Sequence, residues 1–464
     1  MRFGSFSEMT GYYAERTPDS PALVFEEGGS VKALSFSAFH GRIRERAEEL
    51  KSAAVLGAGS GAEGPAGVRC VGVFCTGSLD CVVDILAAAR AGFQQVLLDP
   101  MASDELLKEQ IGLSGADMLL GDEDLAEEFE EFLRPAGQAP DLKAGRILFF
   151  TSGTTASARA VALSEASLCC SAYNGGSLLP LDPSDRLLLM LPLNHVFGFV
   201  CGLLWPLSCG ASAALGRGPR HYADDMAFFR PTAVSLVPLL LGFLLKNGLL
   251  NEELRLMLIG AGECPPALIR AVKDKGIRVS FGYGLTETSS GLALSLGDDP
   301  YALTVCPDDE IRIASDGEIM VRAPGSMMEG YYRDPEATAR AFSDGWLMTG
   351  DLGLIGEGGR LWITGRKKDI FVLPDGTKVY LPEYEAKLSE VLAGRDFALF
   401  MKDGAVCLAV SGGKSEEDGI AEAVLPLMKT LPRGQQIRRI LMTGAIPRTA
   451  TGKVRRWALA EEVN

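Results

Sequence analysis

Through the first third of the chain, fully apolar runs alternate with amphipathic ones. CVGVFC (70–75) is apolar at every position, as in a strand covered on both faces. SLDCVVDILAAARAG (78–92) has helical spacing and ends on glycine, which predicts a helix with a glycine stop. QQVLLDP (94–100), ASDELLKEQIG (102–112) and ADMLLGD (116–122) then read as strand, helix and strand. The pattern returns at TAVSLVP (232–238), a strand feeding an apolar helix, and in LRLMLIGAGECPPALIRAVKDKGIRVSFGYG. That second stretch reads as strand, glycine corner, helix and strand, and such corners are where α/β proteins place ligands. From about Glu310 to Trp362 the texture changes to short alternating runs, EIRIAS, GEIMVRAP and RLWITG, which predict antiparallel strands.

The expected architecture is α/β. A large N-terminal domain, 1–365, holds two helix-covered, mostly parallel sheets and a β-rich part at about 305–365. A small α+β domain, 366–464, follows the charged cluster GRKKD (365–369). A length of 464 residues requires two or more domains. A hydrophobic share of 47% and a charged share of 23% are ordinary for a folded protein.

A formal net charge of −15 argues against nucleic acid or an anionic membrane as a general partner, although loop N–H groups can still hold a phosphate locally. The ten cysteines include no CxxC, and the three histidines are far apart in sequence. Reduced, buried thiols are therefore expected rather than a structural zinc site. The N-terminus has no apolar signal core, and AVSLVPLLLGFLL (233–245) is too short for a membrane span and is broken by Pro238 and Gly242. A cytoplasmic protein without membrane insertion is expected.

Five stretches offer chemistry, and each has a bland alternative. TSGTT (151–155) follows the apolar RILFF. It is either a polar turn or a loop whose hydroxyl and N–H groups grip an anion with several oxygens. FGYGLTETSS (281–290) is a surface turn, or a site where an aromatic stacks on a base and Glu287 holds Mg2+. TGD at 349–351 is a turn, or an acid that accepts two ribose hydroxyls. LPLNHVFGF (191–199) contains a lone His195, which is either a satisfied core residue or a site residue. Lys453 in PRTATGKVRR is a mobile catalytic cation or part of a solvated basic tail.

Their order along the chain, with MEGYYRDPEATARAFSDGWLMTGDLG and IPRTATGKVRR, resembles the adenylate-forming (AMP-binding) superfamily: acyl- and aryl-CoA synthetases, adenylation domains of peptide synthetases, and luciferases. The resemblance covers nearly the whole chain, and DIFVLPDGTKVYLPE is similar to bacterial long-chain acyl ligases. It implies an ATP-dependent acid–thiol ligase that forms an acyl-adenylate and then a thioester on coenzyme A or on the phosphopantetheine of an acyl carrier protein. It places Thr151, Ser152, Gly153, Thr154 and Thr155 on the β- and γ-phosphates, with Arg159 as the loop's cation. Gly262, Glu263, Cys264 and Tyr283 fall to the adenine, Thr286 to the α-phosphate, Glu287 to Mg2+, and Asp351 and Arg366 to the ribose. Lys368 falls at the hinge, Gly376 on the thiol path, and Lys453 between carboxylate and α-phosphate. His195, Val196, Phe197, Gly198, Val234 and Gly284 line the acyl pocket in the same resemblance.

Those pocket residues are apolar and include no acid or lysine, which favours a fatty or aryl acid over an amino acid. One departure from the family pattern stands out. Ala156, Ser157, Ala158, Arg159 and Ala160 occupy positions where the family has Gly, a variable residue, Pro, Lys and Gly. The two alanines predict a stiffer loop, and arginine replaces a point charge with a planar fork. The competing reading is a protein of the same fold that binds nucleotide or acyl-adenylate with impaired turnover.

Overall fold

The computed structural model describes residues 1–57, 69–135, 141–151, 159–262, 264–373, 378–448 and 454–462. Ser152, Gly153, Thr154, Thr155, Glu263, Gly376 and Lys453 lie outside them, as does the side chain of Lys368.

A six-stranded sheet runs in the order Gly330–Tyr331, Ala160–Ser164, Arg146–Phe150, Gln94–Leu98, Cys70–Phe74, Met118–Leu120. Its last four strands are parallel, and Ala160–Ser164 returns antiparallel along Arg146–Phe150. The apolar runs are continuous because both faces are covered. Val71, Val73, Leu97, Ile147 and Phe149 pack into a core shared with helix Leu79–Arg90. Alternate residues, Cys70, Phe74, Val96, Leu98 and Leu148, pack with Leu107 and Ile111 of helix Asp104–Ser114. Helix Leu79–Arg90 starts where the Ser78 hydroxyl accepts from the Cys81 N–H at 3.1 Å, the usual way to satisfy a first-turn donor.

The larger sheet has 14 strands. Its middle is parallel: Ser212–Leu215, Arg186–Leu189, Ala233–Leu236, Leu256–Ile259 and the first half of Arg278–Leu285. The second half of that last strand, Gly282 to Leu285, pairs antiparallel with Ser290–Ser295. From there the hydrogen bonds run on through Leu303–Val305, Leu361–Arg366, Trp346–Ile355, Glu318–Arg322 and Glu310–Ile313. The pairing direction thus changes at Gly282, and the short alternating runs after Glu310 continue the antiparallel part as Glu310–Ile313, Glu318–Arg322, Trp346–Ile355 and Leu361–Arg366. One eight-residue strand makes the switch because it is long enough to serve two different partners.

After Arg366 come the hairpin Ile370–Val372 and Lys378–Tyr380, then a three-stranded sheet, Phe397–Lys402, Ala405–Ser411 and Arg439–Thr443. Leu381, Leu388, Leu399, Leu408, Val424 and their neighbours give this part a core of its own. All ten cysteines are free, and all but Cys201 and Cys209 are buried. Among the described residues, no helix is long and apolar enough to cross a membrane.

Candidate active site

Strand Arg278–Leu285 ends in a turn that sets out the first functional side chains. Its close approach to the next strand demands glycine at 284, since a β-carbon there would stand 1.4 Å from the Ser290 carbonyl oxygen. The chain reverses through the single helical turn Thr286–Thr288 and leaves by two non-glycine residues with positive φ, Ser289 at 53° and Ser290 at 98°. Such angles are uncommon outside glycine, and surrounding bonds hold the turn. The Leu285 N–H donates to Thr288 Oγ1 at 3.2 Å, and the Met328 N–H to the Glu287 carbonyl at 2.8 Å. Thr286 and Glu287 are thereby left half-exposed on a stiff projection.

Three other expected residues converge beside it. The Tyr283 hydroxyl donates to Asp351 Oδ2 at 2.9 Å, and Arg366 Nε lies 2.8 Å from Asp351 Oδ1. Asp351 and Arg366 face each other across adjacent antiparallel strands, which carries the contact through the backbone register. Burial, and then the neighbouring Asp351 carboxylate, push the Tyr283 phenol well above its usual range, so it remains a donor. Asp351 is only 2% exposed. The Asp351 carboxylate is thereby held between a phenol and a guanidinium.

The phosphate-loop candidate spans a hairpin between the two strands of the smaller sheet. The Thr151 N–H donates to the Arg159 carbonyl at 2.9 Å, closing the loop at its base. Ala160 is not a loop residue. It opens strand Ala160–Ser164, pairs with Phe150 and is buried, with ordinary negative φ. The expected stiffening by its methyl therefore does not apply there, because the side chain is packed in a core. The Arg159 guanidinium sits over the Tyr331 ring, 5.3 Å from its centroid, and the Tyr331 hydroxyl donates to Glu287 Oε1 at 2.8 Å.

The remaining candidates are less concentrated. His195 precedes the short helix Val196–Gly198, and its carbonyl accepts from the Phe199 N–H at 2.9 Å. A β-carbon on Gly198 would stand 2.3 Å from the Pro192 carbonyl, so glycine lets this helix start fold back on LPLN. Val196, Phe197 and Val234 belong to three different apolar clusters, and the Phe197 ring packs against Gly260, just past strand Leu256–Ile259. Gly262 is exposed, whereas Cys264 is buried in the core, with its carbonyl accepting from the Tyr301 hydroxyl at 2.9 Å.

Lys368 lies in the short turn Lys367–Asp369 between two anchors. Lys367 Nζ is 2.7 Å from Asp316 and 2.6 Å from Glu318 in the large sheet, and Asp369 is 3.9 Å from Arg456 of the last helix. The sequence pattern singles out neither Tyr331 nor Lys367. Tyr331 stands in plain view in MEGYYRD, but nothing local says that its hydroxyl reaches Glu287, 44 residues earlier.

An acid, an aromatic and cations gathered beside the Thr286–Glu287 turn, in a chain of two large sheets followed by a smaller α+β unit with a core of its own, are the features of a nucleotide-using α/β enzyme. The family described as AMP-binding enzyme matches residues 12–332, and the chain belongs to that family, within the adenylate-forming superfamily, as an acid–thiol ligase. Indoleacetate–CoA ligase of Aromatoleum aromaticum is 32% identical over 343 residues, 67% of this chain and 66% of that protein, so the chain spans just under two thirds of this relative. A 2-succinylbenzoate–CoA ligase of Bacillus velezensis is 28% identical over 411 residues, 81% of this chain and 80% of the relative. The fold matches o-succinylbenzoate CoA synthetase of Bacillus subtilis, solved with its acyl-adenylate intermediate, at a TM-score of 0.81, with 23% identity and 97% of each chain covered.

Proposed function

We propose that this protein uses ATP to convert an apolar, ring-bearing carboxylic acid to its acyl-adenylate and then to the thioester of coenzyme A. The observation that carries this reading is the joining of Tyr283, Asp351 and Arg366 beside the Thr286–Glu287 turn. Asp351 and Arg366 would accept and orient the ribose, with the adenine against Tyr283 and the backbone at Gly262 and Cys264. Thr286 would meet the α-phosphate. Thr151 to Thr155, with Arg159, would hold the β- and γ-phosphates.

A magnesium ion fits Glu287, a half-exposed carboxylate and hard oxygen donor. Magnesium is usually bound through one or two carboxylates together with substrate phosphates. When bound, it offsets phosphate charge. Lys453 would sit between the two anionic reactants and offset their repulsion, in the manner of a preorganised cation.

A carboxylate oxygen attacks the α-phosphorus, the bond to pyrophosphate breaks, and pyrophosphate leaves with the electron pair. The coenzyme A thiolate then attacks the acyl carbon, AMP leaves, and the thiol proton passes to solvent. The second step requires the Lys453 segment to move away, which supports a mobile cap at 366–464 turning at Lys368 against a body at 1–365, with Gly376 on the thiol path. The acyl pocket would be lined by His195, Val196, Phe197, Gly198, Val234 and Gly284. Support for a ring-bearing acid comes from this apolar set and from relatives that act on indoleacetate and 2-succinylbenzoate. The free, mostly buried cysteines support a reducing setting such as the cytoplasm.

The test is pyrophosphate release with ATP and Mg2+ over a panel of aromatic and straight-chain acids, with and without coenzyme A. Multiple turnovers that require coenzyme A, and that favour aromatic acids, are expected. A single burst indifferent to coenzyme A would point to a carrier-protein thiol instead. The absence of a burst with every acid would support a binding protein without turnover. Lys453→Ala should slow adenylation by about 10²–10³-fold while ATP binding persists.

A further inference from the structure

The strap 326–332 joins the two halves of the site. The Met328 N–H bonds to the Glu287 carbonyl at 2.8 Å, on the large sheet's side. The Glu329 and Tyr332 N–H groups bond to the Ala162 and Ala160 carbonyls, each at 2.8 Å, on the smaller sheet's side. Tyr331 lies near the end of the strap, between Glu329 and Tyr332. Its backbone faces Val161, its N–H donates to Thr338 Oγ1 at 2.9 Å, its ring lies under the Arg159 guanidinium, and its hydroxyl donates to Glu287 Oε1 at 2.8 Å. Its fixed backbone leaves the phenol little freedom, and the guanidinium covers the ring from the phosphate-loop side.

We infer that Tyr331 is a positioning residue: its phenol fixes the Glu287 carboxylate so that Oε1 is satisfied by the protein and Oε2 is left to ligate a phosphate-bound divalent cation. This rests on the reading of Glu287 as the magnesium ligand. A carboxylate that ligates a metal gains affinity when a neighbouring donor holds its orientation, and loss of such a donor typically costs about 10–100-fold in metal affinity. The phenol is the donor in this contact, since an ionised carboxylate only accepts. Arg159 over the ring ties the same phenol to the loop that frames the phosphates. Departure of the phosphates would thus be felt at Glu287 through one side chain.

The experiment is calorimetric ATP binding by the full chain, at several Mg2+ concentrations and in chelator, for wild type, Tyr331→Phe, Glu287→Gln and the double variant. Tyr331→Phe keeps the ring under Arg159 and the strap's backbone pairing, and a thermal melt confirms that it folds. It should lower Mg2+-dependent ATP affinity by about 10-fold or more, leave affinity in chelator unchanged, and cost nothing further in the Glu287→Gln background. A merely structural tyrosine would shift both affinities, or neither, and would add its effect to that of Glu287→Gln. Retention of full Mg2+ dependence in Tyr331→Phe, with loss in Glu287→Gln, would overturn the role of Tyr331 alone. Retention in Glu287→Gln as well would overturn the reading of Glu287 and this inference together.

Discussion

The hydroxyl of Tyr283 donates to Asp351 across 68 residues of sequence, at 2.9 Å, while Arg366 holds the other oxygen of the same carboxylate at 2.8 Å. A buried acid is stable as an anion only when its oxygens are satisfied. These two partners fix the orientation of the Asp351 carboxylate.

Tyr283→Phe should keep the ring and remove one of those bonds. A hydrogen bond to a charged group is worth about 1.5 kcal/mol or more, so KM for ATP should rise about tenfold. Asp351→Ala should cost more and should abolish the discrimination between ATP and 3′-deoxy-ATP. Unchanged discrimination in Asp351→Ala, measured by pyrophosphate exchange, would remove the ribose from this site.

Ala160→Gly should not restore a faster phosphate loop. Ala160 is 2% exposed in a strand, where glycine is typically worse by about 0.5–1 kcal/mol. The expected result is a lower melting temperature with unchanged turnover. A rise in turnover would show that the loop, rather than the strand, governs this position.

Lys368→Pro tests the hinge. Proline fixes φ near about −65° and so resists rotation between the Lys367 and Asp369 anchors. Rapid quench should show the adenylation burst preserved and thioester formation slowed about tenfold or more, the size of effect expected when a conformational gate becomes limiting. Equal slowing of both steps would place the pivot elsewhere.

Asp309 gives stability a pH dependence. Burial raises its carboxyl from 3.8 to about 7, with Arg2 opposing, and among the described residues neither oxygen has a hydrogen-bond partner. The folded state therefore holds a proton that the unfolded chain releases. This contribution is fully present below about pH 4 and is lost as pH rises through about 7, each tenfold difference in proton affinity between the two states being worth about 1.4 kcal/mol. Melting temperature should fall between pH 5 and pH 8, and Asp309→Asn should flatten that fall. An identical slope in the variant would acquit Asp309.

Much of the large domain's secondary structure was legible because its determinants are local. The run CVGVFC, the serine before Leu79 and the glycine after Ala91 each act within a few residues, through burial on both faces, capping and a positive φ at Gly92. The candidate residues were legible as types for a similar reason: a hydroxyl run after a strand, or an acid between glycines, limits what chemistry a loop can offer. Tertiary structure alone decided which side chains meet. Ala160 reads as loop by its place after TSGTTASAR, yet pairing with Phe150 makes it strand. Tyr331 reads as one aromatic among several, yet the strap carries it to Glu287 and Arg159. A sequence specifies local geometry through short-range sterics and capping. Contacts between Tyr283 and Asp351, or Tyr331 and Glu287, depend on the registers of two sheets, and those are settled only when the whole chain buries its apolar faces together.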